Sequence, residues 1–442
     1  MSVVTKSGDT GLAQTESLTH EGFAVAHIDG KAVFIHGSLP GETVRFRYHN
    51  KRARYDVGVV TEILRPSADR VEPACPHFGQ CGGCSLQHLK PAAQVAAKQA
   101  ILLETLQRIG GVAPERVLAP ITGPEWRYRR RARLGARLVP KKGGVIVGFR
   151  ERRSSFIAHI ESCAILDARV GGIIPAIRSV ISSLSCPDRI PQVEVAAADE
   201  AVALVFRHVV PLTDLDHQAL AEFGVAHGIT VYLQPEGPES VHPLPSCAPA
   251  VLEYQVEDAI RLRFSPTDFV QINTLVNARM VARAIELLEV TREDRIVDFF
   301  CGLGNFSLPL ARRARHVTGV EGSGVLVSRA RENAAYNHIA NAEFVCEDLY
   351  RPAGADGAPE WWNEGFDKAL LDPPRSGAMD LLKRINADSI RRILYVSCYP
   401  GTLARDAEFL VNVKGYRAAA TGVLDMFPHT NHVESYILFE RD

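Results

Sequence analysis

A run of apolar residues that ends at a cysteine constrains the fold of this chain more than any other stretch. Four strand-forming residues, 393–396, stop abruptly at Ser397, Cys398, Tyr399 and Pro400. An uninterrupted apolar run of this length is typical of a strand buried on both faces of a parallel sheet. Open α/β sheets bind ligands at the C-terminal ends of such strands, so Cys398 is a candidate nucleophile. The alternative for a lone cysteine is a small buried hydrophobic residue.

Other predicted strands end in residues suited to an adenosine-type cofactor. Residues 295–300 lead into a glycine turn at Gly302, and a second strand ends at Glu321, nineteen residues further on. A carboxylate at that distance meets the ribose hydroxyls in dinucleotide-binding folds. Ser307 occupies the third glycine position of the dinucleotide fingerprint, which favours S-adenosylmethionine, a cofactor without phosphates, over NAD. After a third strand, Asp348 is positioned to receive the adenine amino group.

Cys398 has acidic residues near it in the predicted sheet. A fourth strand, residues 368–371, opens into an Asp-Pro-Pro-Arg motif at residues 372–375. Amino-group methyltransferases have an aromatic residue after a similar Asp-Pro-Pro, to stack the target base, but this chain has Arg375. Just before the last strand, Glu434 places a carboxylate at the same edge of the predicted sheet. Cys398 is therefore not an isolated cysteine.

Three cysteines, Cys75, Cys81 and Cys84, lie close together in a loop rich in glycine and proline. The N-terminus is polar and lacks the apolar segment of a signal peptide, so we expect a cytoplasmic protein without disulfides, in which clustered cysteines indicate metal or catalysis. We expect Cys163 as the fourth ligand, because the other candidates lie in looser, proline-flanked stretches. Four cysteines bind either zinc or an iron–sulfur cluster, and this spacing favours [4Fe-4S]. Chance clustering without metal is the remaining alternative.

The N-terminal region has the pattern of a small closed barrel. Short alternating strands punctuated by glycine occupy residues 22–60, with a hairpin turn signal at Asp29-Gly30. Cations interleaved with tyrosines at residues 45–55 suit a nucleic-acid strand, or they form a solvated charged face.

A helix and a row of arginines follow. Residues 91–109 have helical periodicity, with Leu102, Leu106 and Ile109 on one face. Further on, alternation predicts a strand whose arginines share one face and bind phosphates. Ion pairing within the protein is the alternative, but the sequence near this row lacks acids. The row consists of Arg127, Arg129, Arg131 and Arg133.

Together these pieces resemble the RNA (uracil-5-)-methyltransferase family. The matching stretches are residues 269–273, the Gly302 turn, residues 372–375, Ser397-Cys398 and residues 432–434. The resemblance implies that Cys398 adds to C6 of a uracil and that Glu434 removes the C5 proton after methyl transfer from S-adenosyl-L-methionine. It implies six residues around the cofactor, of which Gln271 and Asp372 could also touch the target base. These six are Gln271, Phe300, Asn305, Glu321, Asp348 and Asp372.

The resemblance also implies a multidomain architecture. An OB-like TRAM β-barrel that binds RNA is expected over residues 1–66, and a central α+β domain with the iron–sulfur loop over residues 67–265. A Rossmann-like α/β methyltransferase domain follows over residues 266–442, with helix 91–109 a candidate to pack on it. The implied [4Fe-4S] ligands are Cys75, Cys81, Cys84 and Cys163.

Family members that act on transfer RNA are expected to lack the barrel and the cluster, so the ribosomal branch is implied. The expected partner is 23S ribosomal RNA, with uridine 1939 as the target base, and the expected state is a monomer away from membranes. One departure is Tyr399, where the family usually has asparagine. The alternatives are methylation of another ribosomal or transfer RNA uridine, a cytosine-5 methyltransferase, and a non-catalytic RNA-binding iron–sulfur assembly factor.

Overall fold

The computed structural model describes residues 9–245, 247–351, 365–385 and 389–441. Within these residues the strands form three larger sheets and one two-stranded sheet, and the larger sheets follow one another along the chain except that β7 (Arg116–Val117) belongs to the last of them. Among the described helices, none combines the length and the apolar character needed to cross a membrane.

The N-terminal sheet is built from short strands in the order β1-β5-β6-β4-β3-β2. Asp29 and Gly30 both have positive φ, 52° and 78°, and join β3 to β4 in the predicted hairpin. Val33, Ile35 and Phe46 are fully buried in its small core. The strands are β1 Thr10–Gln14, β2 Ser17–Leu18, β3 Ala24–Ile28, β4 Lys31–His36, β5 Thr43–Lys51 and β6 Tyr55–Arg65.

The central sheet has the order β13-β12-β11-β10-β8-β9, and helices α3 and α4 contribute apolar residues to its core. Strands β8 and β9 form one hairpin of this sheet, and β10 and β11 form another. The elements of this stretch of chain are α1 Pro91–Gly110, β7 Arg116–Val117, β8 Arg131–Val139, β9 Gly144–Gly148, α2 Ala168–Gly171, α3 Ile174–Ser183, β10 Gln192–Ala197, β11 Val202–Arg207, α4 Asp214–His227, β12 Thr230–Gln234 and β13 His242–Pro243.

The C-terminal sheet has the order β18-β17-β16-β19-β20-β22-β21-β7. Its first five strands are parallel, and β22 runs antiparallel between β20 and β21. The elements are β14 Glu253–Glu257, β15 Ile260–Arg263, α5 Thr274–Leu288, β16 Arg295–Phe299, α6 Ser307–Ala311, β17 His316–Glu321, α7 Gly324–Tyr336, β18 Ala342–Cys346, β19 Lys368–Leu371, α8 Met379–Arg384, β20 Arg392–Ser397, α9 Pro400–Asn412, β21 Arg417–Leu424 and β22 Glu434–Glu440.

Helix α1 joins this C-terminal sheet rather than the central one. Its buried side chains, including Val95, Leu102 and Leu106, lie in the same apolar cluster as residues of β16, β20 and α9. The prediction for Ile109 is wrong, because its side chain is 56% exposed. The buried stripe repeats every four residues from Lys98 to Gly110, and Ile109 falls beside it.

The hairpin of β14 and β15 also belongs with the C-terminal sheet by packing. Backbone N–H groups of Arg261 and Arg263 donate to side chains of Asn337 and Asn333, which lie at the end of α7. The domain limits expected from the sequence remain predictions. The hairpin nevertheless precedes the expected start of the methyltransferase domain at residue 266.

Candidate active site

Pairing of β20 with β22 brings Cys398 and Glu434 close together. In this antiparallel pair, Ser397 lies opposite Ser435. Cys398 and Glu434 are the next residues along, and the charge of Glu434 raises the pKa of the Cys398 thiol. The thiol and the carboxyl group therefore leave the C-terminal edge of the parallel strands side by side, although they are far apart in the sequence.

All eight residues predicted for cofactor binding and catalysis line a single cleft of about 550 Å³. The cleft opens at the C-terminal ends of β16 and β19, where the strand order reverses and where open α/β sheets bind ligands. Its volume is in the range of sites that hold a cofactor-sized ligand. The eight residues are Gln271, Phe300, Asn305, Glu321, Asp348, Asp372, Cys398 and Glu434.

The turn after β16 holds its backbone in an unusual conformation. Phe300 and Gly302 both have left-handed φ, 62° and 55°, which costs a non-glycine residue about 1–2 kcal/mol. The N–H of Phe300 donates to Val320. The Glu321 carboxylate accepts from the N–H groups of Gly302 at 3.3 Å and Ser323 at 2.9 Å. Such strain persists only where the surroundings enforce it, and here it brings the Phe300 ring to the cleft.

Asn305 is oriented by two neighbours that sequence reasoning missed. The hydroxyl of Tyr254 donates to its Oδ1 at 3.1 Å. Asn277, on α5, exchanges two amide hydrogen bonds with Asn305, at 2.8 and 2.9 Å. Tyr254 also lines the cleft. A tyrosine within an ordinary alternating strand carries no sequence signal of such a role.

Three groups of the cleft, Glu434, Asp372 and Cys398, have pKa values above their usual range. Desolvation, with repulsion from Asp372, raises the pKa of Glu434 to about 8. Desolvation raises the pKa of Asp372 to about 7. Burial, followed by the charges of Glu434 and Asp372, raises the pKa of the Cys398 thiol to about 11. Without ligands the thiol is therefore protonated, and Glu434 has the pKa of a general base suited to mildly alkaline pH.

Arg375 supplies a positive charge to this acidic cleft. Its Nη2 lies 2.6 Å from Nε2 of His432, and both residues line the cleft. Burial and the Arg375 charge lower the pKa of His432 to about 4, so the ring is neutral and accepts the hydrogen bond. The guanidinium also lowers the pKa of Cys398 and of Glu434 against the effect of burial. Sequence reasoning gave His432 no role of its own.

The four cysteines predicted as metal ligands line one small cavity with Phe78 and Phe149. Burial, together with the neighbouring thiols, raises the pKa of Cys84 to about 12 and that of Cys163 to about 11. Among the described residues, no group of ligand-type side chains has the arrangement of a single metal-ion site. A cubane cluster takes its ligands at separate corners, which requires wider spacing than one ion does. The cysteines of the cavity are Cys75, Cys81, Cys84 and Cys163.

The prediction that four arginines share one strand face is wrong. Strand β8 begins only at Arg131, and Arg127, four residues earlier, has a left-handed φ of 57°. Two members of the row, Arg131 and Arg133, and the neighbouring Arg130 are paired with carboxylates from later segments, which a search of neighbouring sequence could not reveal. The pairs are Arg130 with Asp167 and Asp199, and Arg131 and Arg133 with Glu194.

The basic run of the N-terminal sheet is partly paired. Arg45 bonds to Glu62 at 3.1 Å and Lys51 to Asp9 at 2.6 Å. Arg47 and Arg54 are exposed.

Comparisons with known proteins agree with this site. A family model described as tRNA (Uracil-5-)-methyltransferase matches residues 251–350 and 361–442. A 23S rRNA (uracil(1939)-C(5))-methyltransferase, RlmD of Nitrosococcus oceani, is 52% identical over 97% of this chain and 96% of its own length. The protein of the same description from Alkalilimnicola ehrlichii is 50% identical over 96% of this chain and 95% of its own length.

One solved structure corrects an expectation from the sequence. A tRNA (uracil-54, C5)-methyltransferase of Pyrococcus abyssi, in complex with S-adenosyl-L-homocysteine, has a TM-score of 0.74 and 25% identity and covers 97% of this chain and 99% of its own. The expectation that transfer-RNA members lack the N-terminal barrel is therefore wrong for this relative. The overall architecture alone does not assign this chain to the ribosomal branch, so the assignment depends on sequence identity. With ribosomal relatives about half identical along nearly their whole length, the chain belongs to the RNA uracil-5 methyltransferase family.

Proposed function

We propose that this protein transfers a methyl group from S-adenosyl-L-methionine to C5 of uridine 1939 in 23S ribosomal RNA. The observation that carries the proposal is the single cleft shared by Cys398, Glu434 and the six cofactor candidates. Identities of 52% and 50% to ribosomal relatives support the target. A cytosine-5 methyltransferase is disfavoured because residues 372–375 contain no cysteine, and a nucleophile beside a base disfavours a non-catalytic assembly factor.

Cys398 begins the reaction as the nucleophile, because C5 of uracil is too weak a nucleophile on its own. The thiol gives up its proton to solvent, and the resulting thiolate sulfur bonds to C6. The electrons of the C5–C6 double bond then move to give an enolate that is nucleophilic at C5. Bound S-adenosylmethionine supplies the methyl group that C5 takes up. Glu434 then accepts the C5 proton, the C5–C6 double bond forms again, and Cys398 leaves as a thiolate.

The other cleft residues bind and orient. We assign Glu321 to the ribose hydroxyls and Asp348 to the adenine amino group, as carboxylates at the ends of β17 and β18 suit. Asn305 and Phe300 contact the cofactor from the glycine turn. Gln271 and Asp372 complete the cofactor site and also contact the target base.

In this proposal the N-terminal sheet forms a TRAM-type barrel that binds the RNA. A uridine within folded RNA has to leave its stack before C6 is accessible, which costs a few kcal/mol. Contacts between cations and the phosphate backbone offset that cost. Exposed Arg47 and Arg54 support this role.

We also propose that Cys75, Cys81, Cys84 and Cys163 hold a [4Fe-4S] cluster. Four thiols around one cavity are the donor set that such a cluster requires. The cluster takes no part in the chemical steps described above.

Mapping 5-methyluridine in 23S RNA tests the proposed function. Cells that lack this gene should lose the mark at uridine 1939, and the wild-type gene should restore it, whereas Cys398→Ala should not. Persistence of the mark without the gene, or its restoration by Cys398→Ala, would refute the proposal.

A further inference from the structure

The segment that leads into Glu434, residues 425–433, is held by parts of the chain that precede the catalytic sheet. Helix α1 supplies the most buried contact. Lys98 Nζ donates to Asp425 Oδ1 at 2.7 Å and to the carbonyl of Phe427 at 3.0 Å. The two charged side chains are only 2% and 6% exposed. An ion pair this deeply buried contributes little net stability, but it favours one arrangement of the chain over others.

The cysteine loop supplies a second set of contacts. The N–H groups of Ser85 and Leu86 both donate to the carbonyl of His429, at 2.8 and 2.9 Å. Ser85 Oγ accepts from the N–H of Asn431 at 2.8 Å and bonds to Oδ1 of the same residue at 3.0 Å. Ser85 directly follows Cys84. The cysteine cavity and the segment before Glu434 are therefore joined by hydrogen bonds.

Gln94 of α1 holds the most strained residue of this segment. His429 is 3% exposed and has a left-handed φ of 64°. Its N–H donates to Gln94 Oε1 at 2.8 Å, and its Nδ1 lies 3.2 Å from Gln94 Nε2. Trp126 stacks on the ring with centroids 4.0 Å apart. A non-glycine residue keeps such a conformation only where its surroundings enforce it.

We propose that Lys98, Ser85 and Gln94 are positioning residues, which hold residues 425–433 so that Glu434 reaches the C5 proton. This inference rests on the proposed function, since it assigns a purpose to the position of Glu434. The three residues are called the clamp below. None of them lines the cleft. Ser85 and Gln94 act through the polypeptide that they hold, and the charge of Lys98 in addition lowers the pKa of Glu434 directly.

The order of the chemical steps gives the clamp a distinctive signature. Addition of Cys398 to C6 and methylation of C5 both precede removal of the C5 proton by Glu434. A displaced Glu434 leaves those first steps intact and slows the breaking of the Cys398–C6 bond. The methylated protein–RNA adduct should therefore accumulate, whereas general damage to the fold would lower all steps together.

The test compares Lys98→Met with Lys368→Met in the full-length protein. Lys368 is a matched control: it is also buried, its Nζ lies 2.6 Å from both Asp294 Oδ2 and the carbonyl of Glu289, and it begins β19 at the end away from the cleft. With a 23S RNA fragment containing uridine 1939, we expect kcat to fall at least about tenfold in Lys98→Met with KM unchanged. The adduct fraction on denaturing gels should rise about tenfold. Lys368→Met should change neither the kcat nor the adduct fraction.

Hydrogen exchange provides a readout that does not depend on catalysis. Amides of residues 425–433 should exchange at least about tenfold faster in Lys98→Met than in Lys368→Met. If Lys98→Met does not fold, Ser85→Ala provides the same test with a milder change, and it should show a smaller increase in exchange. Unchanged exchange in both clamp variants, or equal adduct fractions in Lys98→Met and the control, would overturn the clamp. Failure of the proposed function is distinguishable, because the wild-type protein itself would then not methylate uridine 1939.

Discussion

The cleft and the cysteine cavity both bury acidic groups close together, but they differ in what balances those groups. In the cleft, burial raises the pKa of Cys398 to about 11, while Arg375 opposes that shift. In the cavity, burial and the neighbouring thiols act in the same direction and raise the pKa of Cys84 to about 12. The cleft therefore contains a positively charged side chain, and it has room for ligands that bind and dissociate. The cavity gathers thiols that a permanently bound positive group would stabilise as thiolates.

Removing the nucleophile should separate the two regions most sharply. Cys398→Ala should lower methylation of the 23S RNA fragment by at least about 10⁴-fold. Cys301 also lines the cleft, but it is 4% exposed and burial raises its pKa well above the usual range, so it is a poor substitute. Its unfolding temperature should match that of the wild type, since the lost thiol faces an open cleft. Cys186→Ala, outside both regions, is the matched control and should keep full activity. Substantial activity in Cys398→Ala would mean that the cleft has another nucleophile.

Removing a thiol of the cavity should instead lower the iron content and the unfolding temperature. Anaerobically purified wild-type protein should contain about four iron atoms per chain, and Cys163→Ala should lose most of them. Bound metal contributes folding energy, so the unfolding temperature should fall by at least about 5 °C. Cys247→Ala serves as the control, and we expect it to retain iron. Stoichiometric zinc in the wild-type protein would contradict the assignment of the cavity.

The pH dependence should distinguish two steps within the cleft. Glu434 acts as its carboxylate, so release of the methylated RNA should quicken about tenfold per pH unit up to its pKa of about 8, and then level off. Adduct formation requires the Cys398 thiolate and should continue to rise above pH 8, toward the thiol pKa of about 11. Single-turnover kinetics from pH 6 to 9.5 measure both steps. Identical profiles for the two steps would contradict separate roles.

The smallest expected effect concerns stability. The pKa of Glu434 is raised from 4.5 to about 8 in the folded protein, so the folded state binds a proton there that the unfolded state releases. The stability it contributes is complete below pH 4.5 and is lost as pH rises through about 8. Glu434→Gln cannot titrate and should be more stable than wild type at pH 8, by at least about 1 kcal/mol. The difference should disappear at pH 4. Denaturant unfolding at both pH values measures it, and equal stability at pH 8 would argue against a buried carboxylate.

The cleft was predictable from sequence because repeating backbone geometry builds it. Apolar strands of similar length end at one edge of the sheet, so residues such as Glu321 and Cys398 are brought together wherever the pattern holds. Lys368–Leu371 was predicted with its observed limits. The same reasoning overlooked Tyr254, whose strand lies in a separate hairpin and whose hydroxyl reaches Asn305 only through tertiary packing.

Features that depend on a single long-range contact could not be predicted. The arginines from Arg130 to Arg133 look unpaired in the sequence because their partners, Asp167, Asp199 and Glu194, lie in later elements. The clamp is equally hidden, since Lys98 and Asp425 are more than three hundred residues apart. Ile109 shows that predicting burial within a single helix is also limited, because a small error in helical phase moves a side chain from the core to solvent.

The most direct measurement of the central claim is the intact mass of Glu434→Gln after incubation with S-adenosylmethionine and a short RNA containing uridine 1939. Glutamine cannot accept the C5 proton, so the reaction should stop after methylation. We predict a covalent species with the mass of the protein, one RNA and one added methyl group, attached through Cys398. Free protein with no such species, or an RNA attached through another residue, would contradict the account.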